Sequence, residues 1–419
     1  MGKVRTPSFW EDERLTLERA IKLSTESLCN YLSRYRHVVC AFSGGKDSFT
    51  TVTLLAMLLK EGKIPAPETL TVLYADTRLE LPPLQASAFA ALRQFEQYGM
   101  QTQVVTPALD DRYFVYMLGR GVPPPKNRFR WCTPQLKVEP MERAVEALSV
   151  RLGLGEMLWS EKKRRAVYHA LGEEKALMLT GVRVGESAAR DQRIALSCTK
   201  DGAECGQGYF QYSVAGLYDT LAPIEMWRVC HVWDWLFFHA PECGFQTQMI
   251  AEVYGGDEAE ERNARTGCME CNLASKDIAL DNLLLLPQWC YLLPAKRLKL
   301  LYQWLKLPQN RLRKDGTDRR ADGELAANPM RMGPLTIEAR KHGLQEVLAI
   351  QDEINQVAER EDRPYIDLIN KEEHARILEL IENNTWPQGW MGTEQHGDVL
   401  VDQVIADGVV QPLLWGGAE

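Results

Sequence analysis

Short apolar runs alternate with longer helix-like patterns along the first half of the chain. Three runs have the composition of buried β-strands: "HVVCAF" (37–42), "TLTVLYAD" (69–76) and "TQVVTP" (102–107). Helical periodicity separates them over 48–60 and 84–98. A fourth β-like run, "ALMLTGVR" (176–183), follows a stretch around 156–171 that we predict to be helical. Strands that alternate with helices predict an α/β fold with a doubly wound, mostly parallel sheet.

The remaining pattern predicts three parts of the chain. Apolar spacing from about 10 to 35 predicts an N-terminal helix in residues 1–35. We expect the sheet and a cysteine-rich part within 36–290, and a mostly helical C-terminal extension over 291–419. Two stretches rich in proline, glycine or polar residues are predicted loops: "VPPPKNRFRWC" (122–132) and 198–212.

Composition and charge restrict the class of protein. The chain has 419 residues, a net charge of -8 and ten cysteines. The negative charge argues against nucleic-acid binding over the whole surface, although it allows a local basic groove. We find no apolar run of membrane-spanning length and no signal-peptide pattern, so we expect a cytoplasmic protein without a membrane partner. In a reducing cytosol, cysteines are buried, catalytic or metal-bound more often than disulfide-paired.

The first predicted strand ends in an unusual turn, "SGGKDS", before the helical pattern resumes. Gly44 and Gly45 allow backbone angles at which several amide groups point at one anion. Lys46 supplies a positive charge for phosphate, and Asp47 is a ligand type that suits Mg²⁺. Hydroxyl donors flank the turn at Ser43 and Ser48. The alternative is an ordinary strand-to-helix turn with solvated charges.

This turn resembles the PP-loop of the ATP pyrophosphatases with the adenine-nucleotide α-hydrolase fold. That resemblance implies a site for ATP and Mg²⁺ at Ser43–Ser48, with cleavage between the α and β phosphates and release of pyrophosphate. "YADTRLELP" is similar to the Asp-Thr element of the phosphoadenylylsulfate (PAPS) reductase branch. The similarity places the adenosine part of the nucleotide at Asp76 and Thr77.

Two further motifs resemble the same branch. "WCTPQLKVEPMERAV" is similar to its cysteine loop followed by Lys-Val-x-Pro. "TGVRVGESAAR" is similar to its Gly-x-Arg-x-x-Glu-Ser-x-x-Arg element, which implies nucleotide contacts from four residues: Gly181, Arg183, Glu186 and Arg190. Arginine forks suit phosphate recognition, and Arg193 is a further candidate, whereas a surface salt-bridge network is the alternative.

Within the branch, the chain most resembles the DndC/SspD-type sulfurtransferases of DNA phosphorothioation. The segments that carry the likeness are "RFRWCTPQLK", "RTGCMECNLASKDIALDNL" and "MGPLTIEARKHGLQEVLAIQDEIN". The resemblance implies that ATP activates a DNA backbone phosphate, which then receives sulfur. It also implies DNA, a cysteine desulfurase and other phosphorothioation subunits as partners, and it allows a homo-oligomer.

Two other functions remain open at this point. One is PAPS or adenylylsulfate reduction. Reductases with an iron–sulfur cluster have adjacent cysteines where this chain has Trp131-Cys132, and we find no C-terminal catalytic cysteine motif, so this alternative ranks second. The other is an ATP-binding scaffold or sensor subunit without turnover.

The cysteine spacing indicates a metal centre. Cys268 and Cys271 are separated by two residues, which lets both sulfurs face one ion or cluster. With Cys198 and Cys205 they are the candidate ligands of a [4Fe–4S] cluster, and zinc is the alternative. Cys243 and Cys290 are possible replacements for the second pair. Asp277 stands where a further cysteine is expected from the DndC/SspD pattern.

The remaining cysteines are of two kinds. Cys29, Cys40 and Cys230 lie in apolar runs, where we expect core packing.

Cys132 follows "KNRFR", whose cations are expected to lower its pKa and to hold a polyanion. We consider three roles for it: carrier of a persulfide sulfur, buried loop residue or cluster ligand. With Lys46, Asp47 and Arg183, it completes the set of candidate catalytic residues.

One histidine and one basic segment are further candidates for a functional role. His231 lies among large apolar residues and is expected in the core. The segment 295–320 mixes aromatic residues with many cations, which is typical either of contact with a nucleic-acid backbone or of a solvated helix face.

Overall fold

The structure of the protein is a computed structural model. It describes residues 15–161, 165–184, 209–213, 216–254, 267–320, 322–405 and 408–412. The chain forms two compact units, each assembled from separate stretches of sequence. The first unit comprises Met1–Asp76, Pro82–Val105 and Glu139–Thr266, and the second comprises Thr77–Leu81, Thr106–Val138 and Gly267–Glu419.

The first unit contains a six-stranded sheet and a separate two-stranded ribbon. Its described strands are β1 (His37–Phe42), β2 (Thr69–Ala75), β3 (Gln101–Val105), β4 (Gly155–Ser160), β5 (Arg165–Ala170), β6 (Ala176–Leu179), β7 (Tyr209–Gln211) and β8 (Tyr218–Ala222). The order in the sheet is β3-β2-β1-β6-β8-β7. All neighbours pair in parallel except β7, which runs antiparallel to β8.

This topology confirms the predicted α/β class and the four predicted strands. From β1 the chain proceeds outward to β2 and β3 on one side, and it later returns to place β6 on the other side of β1. The order of strands therefore reverses between β1 and β6. In open α/β sheets such a reversal creates a crevice at the carboxyl ends of the strands, where ligands bind.

Helices cover both faces of the sheet, as the alternating pattern predicts. The described helices of this unit are α1 (Leu17–Leu32), α2 (Lys46–Lys60), α3 (Pro82–Gln97), α4 (Glu139–Arg151), α5 (Val229–Asp234), α6 (Ala240–Glu242) and α7 (Gln248–Tyr254). Val39 of β1 belongs to a buried cluster with Val145 and Leu148 of α4. Phe42, three residues later and so on the opposite face, meets the rings of Phe49 and Phe95 at centroid distances of 5.4 Å.

The prediction of a helix around 156–171 is wrong. The structure places the antiparallel ribbon β4–β5 there, paired from Gly155 opposite Ala170 to Ser160 opposite Arg165. Trp159 is 63% exposed and Met157 is 57% exposed. Because the ribbon is held by backbone pairing and its apolar side chains face solvent, no buried stripe marks its period in the sequence.

The second unit is mainly helical, with small sheets. Its described helices are α8 (Ile278–Leu284), α9 (Arg297–Leu305), α10 (Ile337–Glu361) and α11 (Lys371–Glu382), with shorter helical turns at Leu109–Asp111, Val115–Gly119, Pro134–Val138, Cys290–Lys296 and Pro308–Asn310. Its strands are β9 (Arg311–Arg313), β10 (Met332–Leu335), β11 (Gln395–His396), β12 (Gln403–Val404) and β13 (Val410–Gln411). The fully buried Arg340 of α10 donates to the carbonyl oxygens of Leu118 and Thr385.

Other predictions of local structure have mixed outcomes. The helical C-terminal region is present as α10 and α11, and the stretch 122–132 is a loop with one tight turn. The predicted loop over 198–212 is partly wrong, because 209–211 forms strand β7 at the edge of the sheet. No described helix is long and apolar enough to cross a membrane.

Candidate functional site

The turn after β1 is built to expose backbone amide groups. Gly44 has φ +73°, a conformation that favours glycine, and a Cβ there would lie 3.1 Å from the Cβ of Ala88. Gly45 is the N-cap of α2 and offers no side chain to cap the helix. The first amide groups of α2 are therefore free of a side-chain cap, in the position where helices bind anions.

Two serines hold this turn closed. The Ser48 hydroxyl donates to the carbonyl oxygen of Gly45 at 3.0 Å and accepts from the amide of Ser43 at 3.2 Å. The hydroxyl groups of Ser43 and Ser48 are 3.1 Å apart. Both predicted hydroxyl donors thus lie in the turn and fix its shape.

Three charged side chains meet beside the turn. The Asp47 carboxylate lies 3.0 Å from Lys46 Nζ and 2.6 Å from Arg183 Nε. Arg183 is only 3% exposed and also donates to the carbonyl oxygen of Trp227 at 3.2 Å. Two cations and one carboxylate leave a net charge of +1 next to the free amide groups. Positive charge beside the start of a helix suits a phosphate group.

Gly181 allows this arrangement by its lack of a side chain. A Cβ at this position would lie 2.7 Å from the amide nitrogen of Ser48 and 2.8 Å from the carbonyl carbon of Asp47. The loop after β6 therefore packs directly on the first turn of α2. That packing brings Arg183, two residues further on, to Asp47.

Asp76 and Thr77 follow β2 and are both buried. Asp76 is 6% exposed, its amide donates to Val105, and Gln85 of α3 donates to its carboxylate at 3.3 Å. Thr77 is 1% exposed, and its hydroxyl donates to Glu80 at 2.6 Å. Asp76 belongs to the first unit and Thr77 to the second, each with its side chain fixed by its own neighbours.

In the second unit, three cysteines lie close enough for their charges to interact. Burial and then the charge of Cys271 raise the pKa of the Cys132 thiol. Burial raises the pKa of Cys268 to about 12, against the opposing influence of the Lys137 ammonium group. The expectation that neighbouring cations lower the pKa of Cys132 is therefore wrong, since burial dominates.

The segment around Cys268 has a defined backbone. Cys268 pairs with Glu80 in an isolated β-bridge, and the next amide, of Met269, donates to Leu79 at 2.7 Å. Burial acts to lower the pKa of Lys137, but the charges of Cys268 and Glu80 outweigh it and leave the pKa raised. The group formed by the three cysteines and Lys137 therefore contains a charged ammonium group, which can stabilise an anionic sulfur.

Asp277, which stands in place of an expected cysteine, has a structural role. Its carboxylate accepts from the amide of Leu280 at 3.0 Å as the N-cap of α8, and from the amide of Glu270 at 2.8 Å. Glu270 adopts φ +49° between the two cysteines. Asp277 thus fixes the turn that carries Cys268 and Cys271.

Several predicted residues lie outside the described part of the chain. They are Glu186, Arg190, Arg193, Cys198 and Cys205. Within the described ranges, no set of three or more histidine, cysteine or acidic side chains is arranged to hold a metal ion. Cys132, Cys268 and Cys271 lie within range of one another's charges, and thiols are the donor type that iron–sulfur clusters use.

The other cysteines and His231 differ in exposure. Cys40 is fully buried, as expected, whereas Cys29 and Cys230 are partly exposed, so the prediction of core positions is wrong for these two. Cys243 is partly exposed and Cys290 is exposed. His231 is 5% exposed, which confirms its predicted place in the core.

Three neighbours of the candidate residues were not predicted from the sequence. The Lys46 ammonium group lies 5.2 Å from the ring centre of Tyr254 on α7. Gln85 contacts Asp76, and Lys137 lies among the cysteines. Lys137 is part of the quoted Lys-Val-x-Pro motif and could have been singled out there. Tyr254 and Gln85 carry no motif.

Comparison with known proteins gives a family match for part of the chain. Residues 37–243, just under half of the chain, match the family model described as the phosphoadenosine phosphosulfate reductase domain. A comparison with curated proteins found no significant match.

Two solved structures are similar to the chain at low identity. One is PAPS reductase from Candida auris in a phosphate complex, at 12% identity and a TM-score of 0.33, covering 61% of this chain and 97% of that one. The other is the U34-tRNA thiolase NcsA from Methanococcus maripaludis with its [4Fe-4S] cluster, at 14% identity and a TM-score of 0.33, covering 58% of this chain and 76% of that one. Likenesses this weak carry no argument about activity.

The family match and the sheet topology agree on one region of the chain. The matched residues include β1 and its turn, β2, β6 and Arg183. The match supports a nucleotide-dependent enzyme of sulfur chemistry. Residues 37–243 are therefore similar to the phosphoadenosine phosphosulfate reductase domain.

Proposed function

We propose that the protein is an ATP pyrophosphatase that adenylates a DNA backbone phosphate and then directs sulfur onto it. The observation that carries the proposal is the meeting of Lys46, Asp47 and Arg183 at the uncapped start of α2. A reductase that receives an already activated sulfate has no need to cleave a triphosphate. A site with two cations and free helix amides at a strand-order reversal suits a polyphosphate.

In the first step, an oxygen of the DNA phosphate attacks the α phosphorus of ATP. A new P–O bond forms to the AMP group, the bond between the α phosphorus and its bridging oxygen breaks, and pyrophosphate leaves. Lys46 and Arg183 neutralise the charge that develops on the phosphate oxygens, and the α2 amides orient them. Mg²⁺, when bound, would supply further charge neutralisation, with Asp47 as the candidate ligand.

In the second step, sulfur replaces the activated oxygen. The terminal sulfur of a persulfide on Cys132 attacks the DNA phosphorus, and AMP leaves with its bridging oxygen. A thiol reductant then supplies two electrons to the S–S bond, which frees the phosphorothioate and returns Cys132 as a thiol. Sulfur is delivered to Cys132 by a cysteine desulfurase, and other phosphorothioation subunits act with the enzyme.

Cys268 and Cys271 are the proposed core of a [4Fe–4S] site, with zinc as the alternative metal. Further ligands come from Cys198 and Cys205, or from Cys132 in place of its carrier role. A cluster, when bound, supplies soft sulfur-binding or electron-transfer chemistry. Lys137 balances the negative charge that thiolate ligands bring to this part of the second unit.

Reduction of PAPS or adenylylsulfate is the second candidate function. The match of residues 37–243 to the reductase domain model favours it. The chain has Trp131 where cluster-bearing reductases have a cysteine, and this ring stacks on Tyr113 at 5.3 Å as part of a buried aromatic group. Residue 131 therefore serves for packing, so reduction of PAPS or adenylylsulfate remains the second candidate function.

A product assay separates the candidates. Protein purified without oxygen is incubated with ATP, with and without DNA, and AMP, pyrophosphate and ADP are quantified. With DNA present, we expect pyrophosphate and an equal amount of AMP, counted as free AMP plus AMP joined to DNA, from the wild type and from Lys60→Ala, a control at the far end of α2. We expect neither product from Lys46→Ala. Sulfite formed from PAPS, with no cleavage of ATP, would instead establish the reductase.

A further inference from the structure

A short turn in the second unit presents three cations and an aromatic ring to solvent. The amide of Phe129 donates to the carbonyl oxygen of Lys126 at 2.7 Å, and the amide of Lys126 donates back to Phe129 at 3.2 Å. This reciprocal pairing forms a tight turn whose residues 126–130 are all exposed. Phe129 is 44% exposed and belongs to the pair that closes the turn, between Arg128 and Arg130 in the sequence.

Asn272 ties this turn to α9. Its side-chain amide donates to the carbonyl oxygen of Pro125, and its oxygen accepts from Lys306 at 2.8 Å. Lys299, about two helix turns before Lys306, donates to the carbonyl oxygen of Ala274 at 2.9 Å. Lys299 of α9, Lys306 just after it and the cations of the turn therefore border one surface, joined by the segment 272–274 that follows Cys271 in the sequence.

The cations of the turn have no acidic partners in the ranges that the structure describes. No carboxylate there forms an ion pair with Lys126, Arg128 or Arg130. Burial, and then the charges of Lys126 and Lys299, lower the pKa of Lys306, so like charges crowd this surface. The crowding is unusual in a chain whose net charge is -8. Lys299 lies 4.0 Å from the carboxylate of Glu270, whereas the three cations of the turn have no such counter-charge among the described residues. Like charges held together in this way favour the binding of a polyanion.

We propose that this surface, consisting of Lys126, Arg128, Phe129, Arg130, Lys299 and Lys306, binds a single strand of DNA. The cations contact successive phosphates, and the exposed ring of Phe129 stacks on a base. The inference rests on the proposed function, because it names the surface that receives the DNA substrate. It leads the strand toward Cys132, two residues beyond Arg130.

The combination of groups favours a nucleic-acid strand over other anions. A single phosphate needs one convergent cradle, whereas these cations are spread over a turn and a helix. An acidic protein segment would not require an exposed ring between two arginines. Single-strand binding proteins combine a basic track with aromatic rings on which bases stack.

The test measures binding of a fluorescein-labelled 20-nucleotide single-stranded DNA by anisotropy over a series of salt concentrations. The triple variant Lys126→Gln, Arg128→Gln, Arg130→Gln is compared with a control that also removes three exposed cations of the second unit, Lys341→Gln, Arg360→Gln, Lys371→Gln. The slope of log affinity against log salt should fall by about 2 in the triple variant, since each lost contact with a single strand removes about 0.7. The control should retain the wild-type slope.

Phe129→Ala separates stacking from charge. It should weaken single-strand binding by about 5- to 150-fold and leave the salt slope unchanged. Equal weakening by both triple variants, or tight binding by the first triple variant, would overturn the proposal. Binding of an RNA 20-mer without binding of the DNA would overturn it as well.

Pyrophosphate release from ATP in the presence of DNA and a persulfide donor is measured in the same preparations. A wild type that binds DNA through this surface but releases no pyrophosphate would refute the proposed function and leave the binding surface intact. Pyrophosphate release by a protein whose DNA binding is unchanged in the first triple variant would refute the binding surface but not the proposed function.

Discussion

Replacing Gly181 by alanine tests how the site is assembled. The added Cβ would lie 2.7 Å from the amide nitrogen of Ser48, whereas ordinary contacts begin at 3.4 Å. The loop after β6 or the first turn of α2 must therefore move by at least 3.4 - 2.7 = 0.7 Å. Gly181 does not have a positive φ, so the effect is steric and not a matter of backbone conformation.

Two consequences follow from this displacement. Overpacking against backbone atoms destabilises a protein by about 1–3 kcal/mol, which urea denaturation would measure. A catalytic geometry displaced by about 1 Å loses about 100-fold in rate, so kcat/KM for pyrophosphate release should fall between about 10- and 100-fold. The kinetic loss should appear under conditions where the variant remains folded by circular dichroism.

Gly172→Ala is the matched control. No atom lies within 4 Å of a Cβ at that position, which is in the same unit between β5 and β6. It should have wild-type stability and turnover. If Gly181→Ala also kept wild-type kcat/KM, the contact between the β6 loop and α2 would not position the reacting groups, and the reasoning would fail.

Three further predictions concern the second unit. Cys268→Ser should reduce iron per chain and bleach the visible absorbance of anaerobically purified protein; a colourless, iron-free wild type would exclude the cluster. Cys132→Ser should still release pyrophosphate but should yield no phosphorothioate dinucleotides by mass spectrometry, whereas lost iron would instead make it a cluster ligand. Glu373→Ala should destabilise the protein by about 3–5 kcal/mol, because this buried carboxylate accepts from Arg78 at 2.9 Å and from Arg112 at 3.3 Å. Glu372→Ala is its control, since that side chain is 62% exposed and pairs only with Arg112 among the described residues, and its cost should stay below about 1 kcal/mol.

The sequence predicted β1, β2 and β6 well because these strands are buried on both faces. In the sequence, such strands are apolar runs between helical patterns. The first run ends in the turn at Gly44, which contains residues that an ordinary turn does not need. The ribbon β4–β5 was missed for the opposite reason. Its pairing is a property of the backbone, and Trp159 stays in solvent.

Long-range contacts were beyond sequence reasoning for a different physical reason. Arg78 and Glu373 are 295 residues apart, and an ion pair at that separation leaves no local pattern. The motif around Gly181 did identify Arg183, but nothing in the sequence places its guanidinium group on Asp47. The pKa of Cys132 depends on burial, which a run of neighbouring cations does not reveal.

In the proposed reaction, a DNA phosphate becomes joined to AMP before sulfur arrives. Anaerobic protein is therefore incubated with DNA and ATP labelled at the α phosphate, without any sulfur donor, and the DNA is separated under denaturing conditions. We expect label on the DNA, dependent on Lys46 and Asp47, and its release as AMP when a persulfide donor is added. The proposed reaction would be contradicted if the protein released pyrophosphate and made phosphorothioate after the donor was added, but the DNA carried no label at any time.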